Sequence, residues 1–319
     1  MMRFSCAPME GLIARVFRKA FVQHFPNNLR FYSPFISPTS SPDLSSTEMK
    51  DVQLADNQGI DLVPQILSNH ANEFLFTVEK LQKLGYTEVN LNLGCPSGTV
   101  TARGRGSGFL KRKEELKVFL DEIYAGSPLP ISIKTRVGFD SEEEFADILE
   151  LYNDYPVHEL IVHPRVRQDF YKGMVRMDAF ALAVQRSRAP VCYNGDIFSV
   201  EDFRAVTERF PSVQHVMIGR GLVANPALVR ELSGGEKLTK AELMAYHDTL
   251  LEGFRTLGWN DRPVISHMKE FWYYMSCMFP DHAKYRKRIG KSQDLTGYRM
   301  AVDSLFREQE LLEHPAFRP

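Results

Sequence analysis

Hydrophobic and polar positions along the chain fall into short runs that alternate between two periods. Strand-like runs, where apolar residues recur every second position or fill four to six places, lie at Phe4–Ala7, Arg30–Ser33, Asp61–Ile66, Glu88–Leu93, Pro130–Thr135, His158–His163, Pro190–Asn194 and Gln214–Ile218. Helix-like runs follow most of them, at 12–24, 71–84, 112–125, 141–153, 178–187, 199–209 and 222–232. In 112–125, Leu116, Phe119, Leu120 and Ile123 share one face. Strands alternating with helices require parallel pairing. Eight such repeats match a (β/α)8 TIM barrel, with an open doubly wound sheet as the alternative that the pattern leaves open.

Two intervals depart from this rhythm. Residues 37–59 begin with a Ser/Pro-rich stretch where the second helix belongs, and a loop of this length usually serves function or is disordered. After the glycines at 234 and 235 the alternation stops. Residues 238–314 carry helical periodicity alone, with a turn expected at Gly258–Pro263. The chain therefore divides into a barrel, 1–235, and an all-helical domain of about four helices, 236–319.

The chain has 319 residues, a formal net charge of -1 and 44% hydrophobic residues, which is ordinary for a globular protein. The near-neutral total hides one basic run. KYRKRIGK, 284–291, holds five cations in eight residues. A solvated helix face and a phosphate-contact surface both fit such a run. Nearby, Trp272, Tyr273 and Tyr274 suit either core packing or stacking on bases. No run reaches ~18 uninterrupted apolar residues, so no membrane span is expected. The N-terminus lacks the apolar stretch of a signal peptide. Four cysteines without metal-ligand spacing suit a reducing cytoplasm.

Candidate chemistry collects at the strand ends, where the active site of a (β/α)8 barrel forms. Cys95 lies between Gly94 and Pro96, on a loop tip that displays its thiol; Cys6, Cys192 and Cys277 fall in apolar runs and suit the core. NGD at 194–196 and GRG at 219–221 close strands seven and eight, where barrels often bind phosphate through backbone N–H groups. Lys134 points either between helices or into the barrel mouth, where its ammonium would stabilise an anion. His163 suits a core position as well as a site.

APMEG, NLNLGCPSGTV, KTRVGF, HPRVRQDFYKG, NGDI and GRGLVANP occur in that order. In these segments the chain resembles the tRNA-dihydrouridine synthases, flavin enzymes that reduce uridines in tRNA. The resemblance covers roughly residues 4–232. It implies an FMN-binding barrel, NADPH as reductant, tRNA as partner and a helical domain that helps hold it. Position by position, it implies flavin contacts for Pro8, Met9, Gln65, Lys134 and His163, and phosphate contacts for Asn194, Gly195, Asp196, Gly219 and Arg220. It implies that Asn92 and Arg136 position the uracil, and that Cys95 is the catalytic acid, protonating C5 after hydride reaches C6. An unperturbed thiol, pKa about 8.5, holds its proton at neutral pH, as an acid must. Lys284, Arg286, Lys287 and Arg288 are expected to meet tRNA. A monomer is expected, since tRNA needs open surface. Two rivals stand beside this reading. One is a flavin barrel acting on a small pyrimidine such as dihydroorotate; the other is a non-catalytic RNA-binding barrel. Arg103 and Arg105, in the loop after Cys95, suit phosphate contact or plain solvation.

Overall fold

The computed structural model describes residues 2–26, 28–39 and 44–315. Nine parallel strands form one sheet: β1 (Arg3–Cys6), β2 (Arg30–Tyr32), β3 (Leu62–Val63), β4 (Gln65–Ile66), β5 (Val89–Leu93), β6 (Ile131–Gly138), β7 (Leu160–Val166), β8 (Val191–Asn194) and β9 (His215–Ile218). Their order is β3-β2-β1-β9-β8-β7-β6-β5-β4. The two outermost members, β3 and β4, are consecutive in the chain and separated only by Pro64, which has no N–H to offer a ladder. They are one interrupted strand, so the sheet closes on itself. Eight strand positions result, as the periodicity predicts, and the barrel replaces the open sheet.

The strands are buried along nearly their whole length, as parallel strands covered on both faces must be. Alternate residues face inward. An apolar inner layer joins Ala7, Tyr32, Val63, Ile161, Cys192 and Met217. The same phase places Gln65, Asn90, Asn92, Lys134, Arg136, His163, Arg165 and Asn194 on the inner wall. Two strands run longer than their sequence pattern: β6 continues to Gly138 and β7 to Val166. Their pairing shifts register between Arg136 and Gly138, a bulge that admits Pro164 within a strand. Arg136 and Arg165 thereby belong to strands rather than to the loops after them.

Three other expectations change. In the 37–59 interval, a helix Ser46–Val52 stands where an irregular loop was expected, started by a reciprocal capping box between Ser45 and Glu48; residues 40–43 of that interval lie outside the described residues. The 222–232 run is two short helices, Arg220–Ala224 and Leu228–Leu232, because Pro226 interrupts the ladder and Asn225 caps the second segment at Ala227 N–H, 3.0 Å. Pro263 lies inside the first turn of a helix rather than in the turn before it, a place where a missing N–H costs little.

The chain forms two compact units. The first is Met1–Pro8, Leu29–Gly195 and Thr207–Met217, and holds the barrel wall. The second is Met9–Asn28, Asp196–Val206 and Ile218–Pro319. Within the second, helices Lys240–Arg255, Asp261–Met275, His282–Gly290 and Leu295–Glu308 follow one another. Phe17 of the early helix Arg15–His24 stacks on Phe271 at 5.9 Å. A Cβ on Gly253 would lie 2.8 Å from Val16, so glycine sets this close approach. Trp272 is fully buried and donates to Tyr298 Oη at 2.8 Å, while His247 Nε2 meets the same hydroxyl at 2.7 Å. Trp272 is therefore core. No helix among the described residues is long and apolar enough to cross a membrane.

Candidate active site

The Cys95 loop is held from below by a relay of hydrogen bonds along the inner wall. Glu88 Oε1 accepts from Ser132 Oγ at 2.8 Å, and Ser132 Oγ accepts from Asn90 Nδ2 at 3.0 Å. Asn90 Oδ1 accepts from Gln65 Nε2 at 2.7 Å, and Gln65 Oε1 accepts from Asn92 Nδ2 at 2.7 Å. Asn92 Oδ1 then accepts the backbone N–H of Gly94, 3.0 Å, and of Cys95, 2.9 Å. Each amide is fixed in orientation by its neighbours. Asn90 belongs to this relay, and the sequence reading gave it no role; its signal was its phase, two residues before Asn92 on the inward face.

The far side of the loop is also pinned. Cys95 O accepts from Ser107 N–H at 3.1 Å and Ser107 Oγ at 2.8 Å. Gly106 has φ +56, and a Cβ there would come 2.9 Å from Cys95 O. Only glycine fits both demands. Arg105 bonds Asn69 at 3.1 Å and Glu73 at 3.2 Å. Its guanidinium anchors the loop to the helix Ala71–Lys83, a role other than the phosphate contact or solvation expected for it. Cys95 itself is half-buried, whereas Cys6, Cys192 and Cys277 are buried, as expected from their apolar runs.

Arg136 is almost fully enclosed and donates to three backbone carbonyls: Gly94 at 2.9 Å, Val166 at 2.9 Å and Phe170 at 2.6 Å. It ties the Cys95 loop to the loop after β7. In that loop Phe170 holds φ +50, the one positive φ outside glycine among the described residues. Next to it, Tyr171 lies 5.5 Å from the Arg136 guanidinium and 6.3 Å from the His163 ring, nearly parallel to it. Arg165 Nη1 lies 3.1 Å from His163 Nε2. Because a guanidinium only donates, Nε2 accepts, and the neutral ring carries its proton on Nδ1.

Lys134 differs from all of these. It sits in register between Asn92 and Ile161, on the inward phase. Its ammonium makes no hydrogen bond or ion pair among the described residues. Desolvation, and then the charge on Arg136, lower its pKa to about 8. A half-buried cation without an acceptor among the described residues suits a site where something anionic or polar meets it.

The remaining candidates fall in the two units. In the first, Asn194 donates to Met217 O at 2.8 Å, Gly195 has a Cβ position 2.2 Å from Tyr193 Oη, and Pro8 is half-buried. In the second, Met9 O receives Leu12 and Ile13 N–H at 3.1 Å, and Arg220 pairs with Asp196 at 2.5 Å. Gly219 starts the helix there, and a Cβ on Gly221 would lie 2.2 Å from Ile197 O. Lys284, Arg286, Lys287 and Arg288 share the helix His282–Gly290, and Arg288 Nη1 is engaged by Ser304 Oγ at 2.7 Å.

The family model "Dihydrouridine synthase (Dus)" matches residues 5–317. The chain belongs to the dihydrouridine synthase family. It is 26% identical to tRNA-dihydrouridine synthase B of Pseudomonas aeruginosa, over 97% of this chain and 94% of that protein. It is 28% identical to a probable tRNA-dihydrouridine synthase 1 of Synechocystis, over 89% of this chain and 80% of that one. Among solved structures, a morphinone reductase variant in complex with tetrahydroNAD superposes with a TM-score of 0.52 at 12% identity, over 74% of this chain and 87% of that one. That likeness shows the shared barrel fold.

Proposed function

We infer that this family member reduces specific tRNA uridines to 5,6-dihydrouridine, with FMN as cofactor and NADPH as reductant. The observation that carries the reading is the inward Lys134 ammonium, without an acceptor among the described residues, beside a rigidly held Cys95 loop. The residues fit FMN. Lys134 offers three N–H donors to a flavin ring edge. His163 is proposed to line the same flavin site. Gly195 is proposed to offer its backbone N–H to the phosphate; glycine stands there because a Cβ would meet Tyr193 Oη at 2.2 Å. Pro8, Met9 and Gln65 complete the flavin contacts, and Asn194, Asp196, Gly219 and Arg220 the phosphate contacts.

When bound, FMN supplies hydride to C6 of the uracil, and NADPH restores it. Cys95 gives its proton to C5 of the resulting enolate. Lys134 stabilises negative charge in a site of low dielectric. Asn92 retains one N–H beyond the relay for the uracil, and Arg136 places the walls on either side of it. The target base must leave its stack to enter, which tRNA loops allow at low cost. Residues 1–235 act as the catalytic barrel and 236–319 as a tRNA-binding domain, in a monomeric, cytoplasmic enzyme.

The test uses purified protein, NADPH and a tRNA transcript free of modification. A gain of two hydrogens in one RNA fragment, with flavin bound to the protein, supports the reading. Bound flavin that turns over dihydroorotate or uracil but leaves tRNA unchanged favours a small-pyrimidine oxidoreductase. A protein that binds tRNA and no flavin favours an RNA-binding barrel.

A further inference from the structure

The helix His282–Gly290 carries charge that no carboxylate among the described residues pairs with. Several other cations find carboxylates: Arg30 meets Asp61 and Glu88, Arg176 meets Asp169, and Arg230 meets Glu242. Lys284, Arg286, Lys287 and Lys291 make no ion pair among the described residues, and all four are exposed. The helix dipole favours cations in the last turn and so accounts for Lys287, but it gives nothing to Lys284 or Arg286.

Arg286 is placed for more than charge. Its guanidinium lies 5.1 Å from the ring centroid of Tyr273. Tyr273 is 42% exposed and is braced edge-on by Tyr274, with centroids 5.1 Å apart. An aromatic ring beneath a guanidinium removes one of its solvated faces and holds it flat. The opposite face of the guanidinium remains a planar cation, which suits an unstacked nucleobase.

We propose that Tyr273 and Arg286 form a platform for one unpaired base of the tRNA, with Lys284, Lys287 and Lys291 meeting the phosphates beside it. This rests on the tRNA reading above and adds a base-level contact to it. Stacking and charge separate experimentally. Arg286→Lys keeps the charge and loses the plane. Tyr273→Ala keeps the charge and loses the support, and Tyr273→Phe keeps both.

The experiment is equilibrium binding of the full-length flavoprotein to an unmodified tRNA transcript across a salt series. Tyr273→Ala and Arg286→Lys each weaken binding about tenfold at every salt concentration, with an unchanged slope of log K against log salt. Lys287→Ala lowers that slope by about one, and Tyr273→Phe binds as the parent does. In turnover, the platform variants raise KM for tRNA and leave kcat at saturation unchanged. If the parent binds tRNA while Arg286→Lys and Tyr273→Ala bind equally well, the surface is purely electrostatic and the platform is overturned. If the parent binds no tRNA, the functional reading falls and the platform with it.

Discussion

The barrel has buried polar groups at both ends of its strands, and the two ends treat them differently. At the N-terminal end, Glu159 meets His215 Nδ1 at 2.7 Å and Arg3 at 3.0 Å, and His215 Nε2 meets Ser5 Oγ at 2.9 Å. Arg30 bridges Glu88 and Asp61 at 2.8 and 2.9 Å. Each charge has its counter-charge, and each imidazole nitrogen has a partner. At the C-terminal end the amides hold one another and the Cys95 loop, but the Lys134 ammonium has no acceptor among the described residues. A closed network serves stability. A positioned group left without a partner serves a ligand.

Substitutions at the two ends should therefore fail in different ways. The largest effect belongs to Cys95→Ala, expected to lower turnover about 10²–10⁴-fold while NADPH still reduces the flavin at the parent rate. Equal loss in both half-reactions would place the defect in flavin binding instead.

Lys134→Met should lower turnover about 10²–10³-fold and yet raise the melting temperature of the flavin-free chain. The sign follows from the lowered pKa. The unfolded chain holds this proton up to about 10.5 and the folded chain only to about 8, so stability rises with pH across that window. Carrying the charge at neutral pH costs the fold stability that methionine restores. In the parent, activity should fall as pH rises through about 8 or higher, since a bound anion raises the value. A lower melting temperature for Lys134→Met would contradict this assignment.

At the opposite end, Glu159→Gln should cost about 3 kcal/mol of stability by breaking a buried pair and leave kcat near the parent value. Burial pushes the Glu159 carboxyl up, but the His215 hydrogen bond and the Arg3 charge outweigh it and hold it below 4.5. Its stabilisation is thus complete above about pH 4.5 and is lost as pH falls through the lower folded value. Denaturant titrations at pH 7 and at pH 3 should show the parent and Glu159→Gln converging in acid. The smallest effect is Arg105→Ala, about 1 kcal/mol with a modest fall in kcat, because the Cys95 loop keeps its Asn92 and Ser107 anchors.

Much of this was readable along the chain. Eight strand runs, the Gly-Cys-Pro tip at 94–96 and the glycine turns at 195 and 219 depend on local chemistry, and local chemistry is what a sequence displays. The inward direction of Lys134 was also latent in its spacing from Ser132 and Arg136. The helix at 46–52 carried its own start signal, Ser45-x-x-Glu48, which the Ser/Pro composition around it obscured. The closed network was not readable, because His215 meets Ser5 across 210 positions. Nor was the engagement of Arg136, whose three acceptors are backbone carbonyls and leave no trace in residue type.

The contrast between the two ends is tested most directly by anaerobic stopped-flow absorbance. Protein reduced with NADPH is mixed with tRNA lacking dihydrouridine, and flavin reoxidation is followed in the parent, in Lys134→Met and in Glu159→Gln. The account predicts rapid reoxidation in the parent and in Glu159→Gln, slow reoxidation in Lys134→Met, and none with tRNA already modified. Lys134→Met reoxidising at the parent rate, or Glu159→Gln slowed as much as Lys134→Met, would contradict it.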